Sequence, residues 1–268
     1  MFHFIYQIKF NFILIKNIEF LYAIWCDTTN YNLLTMKLKQ AKEIESKCIE
    51  YVAKLCINVA PDHGLEHAVF VGNLARVGLS DFPEITTRQA LLVMLAALMH
   101  DLDDAKIFKT ENYENANTFL KTVRLRKRDK RLVIKMISLV SYSQNKNEIP
   151  ALMPRWVLIP RDADRIAGGG QEGLDRTVEY NARLPVPRPL VTKKDVALFD
   201  KFPVSREDVR AKFDSSATKQ SSLFEFYITN WHNRGVCASG SKQLQVIFER
   251  EYGILLDYWV GAINSAKL

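Results

Sequence analysis

Apolar and polar residues repeat along most of the chain with the spacing of amphipathic helices. From Met36 to Val59, apolar positions recur three and four residues apart, which predicts a helix that turns one face to a core. Pro61 would end this helix, and Asp62 would cap a second one that runs to the turn at 78–83. After its first 35 residues the chain therefore opens with two predicted helices.

The third predicted helix contains the most apolar stretch of the sequence. Thr86 or Thr87 would cap it, and residues 90–99, ALLVMLAALM, are apolar nearly all round. A helix without a polar face belongs inside a protein. We therefore expect this helix to be buried.

The rest of the chain also favours helices. They are predicted at about 114–123, 127–142, 156–167, 221–232 and 241–266, with glycines at 168–170 ending one of them. Residues 183–222 contain four prolines and predict an irregular surface excursion. No strand-like alternation, internal repeat or glycine-rich dinucleotide motif is present. The pattern predicts an all-α fold, a helical bundle with the excursion and C-terminal helices packed on it.

Length and composition add limits to this picture. The 268 residues suit one domain, which we place at 36–268, with a core at about 37–181. A formal charge of +7 favours anionic partners without identifying them. The four cysteines include no C-x-x-C pair, so they are interpreted as reduced thiols of a cytoplasmic protein. The oligomeric state is left open.

The first 35 residues are treated apart from this domain. They are rich in apolar residues but are interrupted by Lys9, Lys16 and Glu19, so no apolar run reaches the roughly 20 residues of a membrane helix. No signal-peptide cleavage site is evident. We predict a leader outside the core fold, with packing on the body or contact with a membrane as alternatives, and no stable membrane insertion.

The most unusual chemical feature is the pair His100–Asp101 at the end of the apolar helix. Ionisable groups there are costly to desolvate unless a cation compensates them. His67, one turn after His63 on the second predicted helix, is the natural third ligand. Asp164 is the fourth, with Asp162 in reserve. Such a shell leaves about two positions for water or phosphate oxygens around one divalent cation: manganese, magnesium, cobalt, nickel, iron or zinc.

The order of these residues resembles a known signature. His67, then His100–Asp101, then Asp164 is similar to the H…HD…D pattern of the HD-domain superfamily of metal-dependent phosphohydrolases. The blocks at 61–67, 96–106, 161–166 and 168–177 resemble small stand-alone HD proteins that include nucleotide pyrophosphohydrolases. These usually carry an arginine three residues after the first metal histidine, where this chain has Phe70. That departure bears on the phosphate contacts and leaves the metal ligands intact.

Hydrolysis at such a centre needs a proton acceptor and cations for developing charge. Asp104 is our candidate acceptor and Asp103 the second, although this acidic run could also be a solvated loop. His63 would hydrogen-bond a leaving group or cap its helix. The candidate phosphate contacts are Lys106, Arg165 and Arg176, with an ion pair to a neighbouring carboxylate as the alternative for Arg165.

A basic run at 124–131 contains six Lys or Arg among eight residues. Because no aromatics are interleaved with it, a solvated helix start is favoured over nucleic-acid binding. The sequence thus predicts metal-dependent hydrolysis of a phosphate ester or phosphoanhydride in a small, anionic, nucleotide-like substrate. The alternatives are an alarmone or cyclic-nucleotide hydrolase, and a catalytically silent HD module that binds nucleotide or nucleic acid.

Overall fold

The structure is a computed structural model that describes residues 36–59, 63–105, 107–141, 145, 148–213, 222–227 and 237–266. Throughout these ranges the regular secondary structure is helical and no strand occurs. The predicted all-α fold is thereby confirmed. The leader, Pro61, Asp62 and Lys106 lie outside the described residues, so the predictions made for them are not addressed by the structure.

The described α-helices are numbered in chain order. They are α1 (Leu38–Leu55), α2 (Leu65–Leu79), α3 (Thr87–Met99), α4 (Glu114–Thr122), α5 (Lys127–Val140), α6 (Ile159–Ala167), α7 (Gln171–Ala182), α8 (Lys193–Val196), α9 (Arg206–Phe213) and α10 (Lys242–Ser265). A 3₁₀ turn at Arg155–Leu158 leads into α6, and residues 223–227 are also helical.

The centre of the fold is α3. Thr86 starts it with a capping box, in which the Thr86 hydroxyl accepts from the Gln89 N–H at 3.3 Å and the Gln89 side chain accepts from the Thr86 N–H at 3.0 Å. Every residue from Leu91 to Met99 is buried, as its apolar pattern predicts, with α1, α2, α5 and α6 packed around it. From Leu91 onward this helix therefore has no face left for solvent.

Helix α2 lies close to α3 at Gly72. A Cβ there would lie 3.1 Å from Cδ2 of Leu98, so even alanine would require that side chain to shift. Helix α2 begins at Leu65 and its N-cap is Gly64, so it starts later than the sequence predicted. His63 lies in the turn before that cap. The prediction that it lies on the second helix is therefore wrong.

The predicted irregular excursion is partly helical. Thr192 and Asp195 form a capping box that starts the short helix α8, and α9 follows further along. Arg206 on α9 donates to Asp257 on α10, with Nε 2.8 Å from Oδ1. The prediction of an irregular excursion was therefore wrong for these two helices, because local capping and ion pairing outweigh the nearby prolines.

The long helix α10 closes the fold against α2 and α6. Ser241 caps it, its hydroxyl accepting from the Leu244 N–H at 3.1 Å. Trp259 is fully buried, with its ring centroid 5.3 Å from that of Phe224 and 5.5 Å from that of Tyr227. None of the described helices combines the length and the apolar character needed to cross a membrane.

Candidate metal centre

Three mutually packed helices bring the predicted ligands to one place. His67 lies in the first turn of α2, His100 is the C-cap of α3, Asp101 follows it, and Asp164 lies on α6. The helices α2, α3 and α6 all contact one another. Residues far apart in sequence thus converge because these three helices share one packed core.

The distances between the four side chains are short. Oδ1 of Asp164 lies 3.3 Å from Nε2 of His67 and 3.4 Å from Nε2 of His100. Oδ2 of Asp101 lies 3.3 Å from Nε2 of His100 and 3.7 Å from Nε2 of His67. In the described part of the chain, His67, His100 and Asp101 form a group whose ligand atoms all lie within 4.8 Å of one another. Such a group could hold a metal ion.

The orientation of His100 fits ligation of a cation. Its Nδ1 lies 2.8 Å from the carbonyl oxygen of Ala97. Because a carbonyl can only accept, Nδ1 carries a proton and donates it, which leaves Nε2 directed at the two carboxylates. Nε2 is buried and has no hydrogen-bond partner among the described residues. A carbonyl that orients a histidine in this way is a common support for metal ligands.

The electrostatics of the cluster also favour a positive centre. Burial alone would lower the pKa of His100, but Asp101 and Asp164 outweigh it and raise that pKa well above its ordinary value. Burial would raise the pKa of each carboxyl, yet the histidines hold both well below their usual range. Burial lowers the pKa of His67. The C-terminal end of α3 adds negative partial charge at the same place.

His63 also joins the cluster. Its Nδ1 lies 2.9 Å from Oδ2 of Asp101, and the side chain is partly exposed. The sequence left open whether His63 caps its helix or contacts a leaving group. The structure places it next to Asp101, on the side of the cluster that opens to solvent, with Asp101 itself 20% exposed.

Arg176 on α7 contacts the first histidine. Its Nη1 lies 2.7 Å from Nδ1 and 3.4 Å from Nε2 of His67. A guanidinium only donates, so Nδ1 is the acceptor and the ring proton lies on Nε2, which faces Asp164. When Nε2 serves as a metal ligand, Nδ1 carries the proton and this hydrogen bond cannot form. Arg176 therefore cannot donate to His67 while His67 binds a metal.

Glu172, one turn before Arg176 on α7, was not among the predicted site residues. Burial raises its pKa to about 7; Arg176 lowers that pKa, whereas Glu66, Glu251 and Asp175 raise it further. The spacing of four residues between Glu172 and Arg176 was the available signal, since such pairs face each other on a helix. Glu172 thus adds a titrating group beside the arginine.

The structure separates the two aspartates of α6. Asp164 reaches both histidines, whereas Asp162 is buried on another face and accepts from the Ser239 N–H at 2.7 Å. Burial raises the pKa of Asp162, and the hydrogen bonds from Ser239 act against that rise. Asp162, the reserve ligand, therefore anchors the segment before α10 through its hydrogen bond from Ser239.

Arg165 follows Asp164 on α6 and lies near Cys237. It is buried, at 6% exposure. Burial and the charge of Asp162 raise the pKa of the neighbouring Cys237 thiol to about 12, and Arg165 opposes that rise. The role of Arg165 in phosphate contact stays a prediction.

The two acidic residues after Asp101 differ in their surroundings. Asp103 accepts from the backbone N–H groups of Asn115 at 2.9 Å and Ala116 at 3.0 Å. Its carboxylate therefore holds the first turn of α4. Asp104 is partly buried in the turn that follows, and its role as proton acceptor stays a prediction. Lys106 lies outside the described residues.

Comparison with known proteins identifies a similar sequence and a similar structure. No protein-family model matches the chain. A stretch of 143 residues is 32% identical to the uncharacterised protein L803 of Acanthamoeba polyphaga mimivirus and covers 48% of this chain and 57% of that protein. The match therefore spans little more than half of this relative's length.

A solved structure is similar over most of the chain. The crystal structure of a Lactobacillus plantarum protein, determined as a structural genomics target, matches with a TM-score of 0.59 and 16% identity, over 87% of this chain and 99% of the other. At this identity the likeness concerns the fold alone. The comparisons thus support the helical architecture and name no activity.

Proposed function

We propose that this protein is a metal-dependent phosphohydrolase of the HD type that acts on a nucleotide-like substrate. The observation that supports it is the convergence of His67, His100, Asp101 and Asp164, in which one Asp164 oxygen lies 3.3 and 3.4 Å from the two Nε2 atoms. Two imidazoles and two carboxylates form a mixed nitrogen and oxygen donor set that suits a divalent transition metal or magnesium.

These four side chains would hold the cation. A bound divalent cation would make water acidic enough to serve as a nucleophile near neutral pH and would withdraw charge from phosphoryl oxygens. The buried Nε2 of His100 is the best-oriented ligand atom, because the carbonyl of Ala97 fixes the ring. The partial exposure of Asp101 and Asp164, at 20% and 30%, leaves a side through which substrate can approach.

Arg176 supplies the positive charge for the substrate in this proposal. Its hydrogen bond to His67 is incompatible with ligation through Nε2, so ligation frees the guanidinium for phosphoryl oxygens. Phe70, at the place where HD proteins usually carry an arginine, packs partly buried against the core and cannot fill that role. Arg176 arrives from α7 and brings a replacement to the same cluster.

Proton transfer is assigned to residues on the open side of the cluster. His63, at 2.9 Å from Asp101 and 33% exposed, is placed to exchange a proton with a leaving group. Asp104 is proposed as acceptor for the attacking water. A cytoplasmic location accompanies this function, because Cys48, Cys56 and Cys237 are free thiols.

The test combines metal analysis with a substrate screen. Purified protein is analysed for bound metal and assayed against nucleoside mono-, di- and triphosphates, a cyclic nucleotide and a guanosine tetraphosphate with several divalent metals. We expect retained metal and metal-stimulated release of phosphate or pyrophosphate. A double variant, His100→Ala with Asp101→Ala, should lose both, whereas Glu50→Ala, on the exposed face of α1, serves as the control.

Two results would refute the proposal in different ways. A protein that retains no metal and hydrolyses nothing contradicts the metal centre itself. A protein that retains metal and binds nucleotide without turnover across the panel is the silent binding module. Turnover confined to the cyclic nucleotide or the tetraphosphate would replace the proposed substrate class and keep the reaction.

A further inference from the structure

A cleft lies at the opposite end of α3 from the metal centre. It has a volume of about 720 Å³ and lies between the first turns of α3 and α5, where Thr86 and Arg126 are the respective N-caps. We propose that this cleft binds a small phosphorylated ligand through Arg88, Arg126 and Arg128.

The three arginines belong to two different helices. Arg88 lies in the first turn of α3, and Arg126 and Arg128 belong to the basic run that begins α5. Arg126 and Arg128 are exposed, so their guanidinium groups can reach an anion from solvent. Guanidinium groups bind phosphate oxygens in pairs of hydrogen bonds, which makes arginine the preferred residue for such ligands. The basic run thereby gains a function beyond solvation.

A buried carboxylate in the cleft is incompletely satisfied. Asp129 is 6% exposed, and its oxygens face Arg88 and Arg128 across 3.7 Å each, which is longer than a hydrogen bond. Within the described residues, Oδ2 of Asp129 and Nε of Arg88 are buried and have no hydrogen-bond partner. Buried polar atoms normally find partners. Because both atoms are enclosed, Arg88 would turn toward the cleft to donate to a phosphate oxygen, whereas the Asp129 carboxylate could accept only from a hydroxyl or N–H group of the ligand.

The wall below these charges is apolar. Leu92, Leu132 and the largely buried Trp156 line it. A cleft with clustered charges above an apolar floor fits a molecule that has phosphate at one end and a flat or carbon-rich part at the other. The first turns of α3 and α5 both add positive partial charge at the phosphate end. A nucleotide of the size of ADP meets these requirements.

This cleft is separate from the proposed active site. The 13 residues of α3 lie between the two, a distance of about 20 Å at 1.5 Å per residue. None of the residues that line the cleft belongs to the four proposed metal ligands. Binding here therefore goes beyond the proposed hydrolase activity and does not depend on it.

The test is calorimetric titration of the full-length protein in EDTA with inorganic phosphate, pyrophosphate and ADP. We expect ADP to bind more tightly than pyrophosphate, and pyrophosphate more tightly than phosphate, because the apolar floor and a second phosphate each add contacts. An Arg126→Glu, Arg128→Glu double variant should weaken binding of pyrophosphate by roughly tenfold or more. A Lys39→Glu, Lys47→Glu double variant on exposed α1 changes net charge equally and should bind like the wild type.

Several outcomes would overturn the proposal. Equal losses in both double variants would show general charge attraction, and no loss in either would exclude the arginines. Loss of pyrophosphate binding in the His100→Ala, Asp101→Ala variant would place the ligand at the other end of α3. Binding of single-stranded RNA without binding of the three small probes would assign the basic run to nucleic acid. A milder variant, Arg126→Gln, keeps the comparison available if the double variant fails to fold.

Discussion

Replacement of Glu172 by Gln tests whether burial raises the pKa of this carboxyl group, which lies beside Arg176. Burial and the surrounding carboxylates raise the Glu172 pKa from 4.5 to about 7. In the unfolded chain this carboxyl loses its proton near its ordinary pKa, whereas the folded protein retains that proton up to about neutral pH. The folded state therefore binds more protons between these two values, and its stability falls as pH rises through them.

The size of this effect follows from the shift. One pKa unit corresponds to about 1.4 kcal/mol. The rise from 4.5 to about 7 therefore means that Glu172 alone lowers the free energy of unfolding by about 3 kcal/mol at pH 8 relative to pH 4. Glutamine has similar volume and carries no charge at any pH. We therefore expect Glu172→Gln to match the wild type near pH 4 and to exceed it by about 2–3 kcal/mol at pH 8.

The assay is urea unfolding of the metal-free protein, followed by circular dichroism between pH 4 and pH 8.5. Glu179→Gln, which removes an exposed carboxylate from the same helix, is the matched control and should follow the wild-type curve. Parallel pH curves for Glu172→Gln and wild type would contradict the assigned burial. A variant less stable than wild type at pH 8 would show that pairing of this carboxylate with Arg176 dominates.

Three further predictions concern the centre and the packing around it. Asp164→Asn should lower bound metal by roughly tenfold or more, measured by elemental analysis. Asp162→Asn should retain metal and lower the free energy of unfolding by about 1–3 kcal/mol, because it weakens a buried hydrogen bond. Gly173→Ala should destabilise the fold by about 1–3 kcal/mol in urea unfolding, because its Cβ would lie 2.2 Å from the backbone oxygen of Gly168. Gly261→Ala should stabilise the fold by about 0.5–1 kcal/mol, because no atom lies within 4 Å of the added Cβ. Arg176→Met should lower kcat/KM for the best phosphorylated substrate roughly 100-fold without reducing metal content.

Each of these comparisons has an outcome that would contradict it. Equal metal loss in both aspartate variants would mean that the fold, and not ligation, controls metal content. A stabilised Gly173→Ala variant would show that α7 can move away from the preceding glycine turn. Loss of metal on removal of the arginine would make its guanidinium a structural support of the cluster.

The four converging residues could be predicted because two of them are adjacent in sequence at the end of an apolar helix. His100 and Asp101 interrupt that helix with groups that need compensation, and burial of α3 was evident from its composition. The sequence favoured Asp164 over Asp162, but the pattern of residues does not show which of the two carboxylates faces the histidines. That depends on the rotation of α6, which is fixed by its packing against α2 and by the hydrogen bond from Ser239.

Other features depended on contacts that sequence patterns do not encode. The contact of Arg176 with His67 joins residues 109 positions apart and requires α7 to fold back over the start of α2. The helices within 183–213 were missed because prolines dominate that stretch, although Thr192 and Asp195 have the spacing of a capping box. The start of α2 was placed too early because Asp62 is a better capping residue type than Gly64.

The two aspartates of α6 also link the carboxyl-terminal part of the chain to the cluster. Asp162 binds the backbone just before α10, while Asp164, two residues later, reaches both histidines from the same helix. Truncation of the chain before Ser239 would leave Asp162 without its donor and would remove α10, which packs against α2 and α6. A shortened protein would then bind the ion weakly, although all four ligands would still be present.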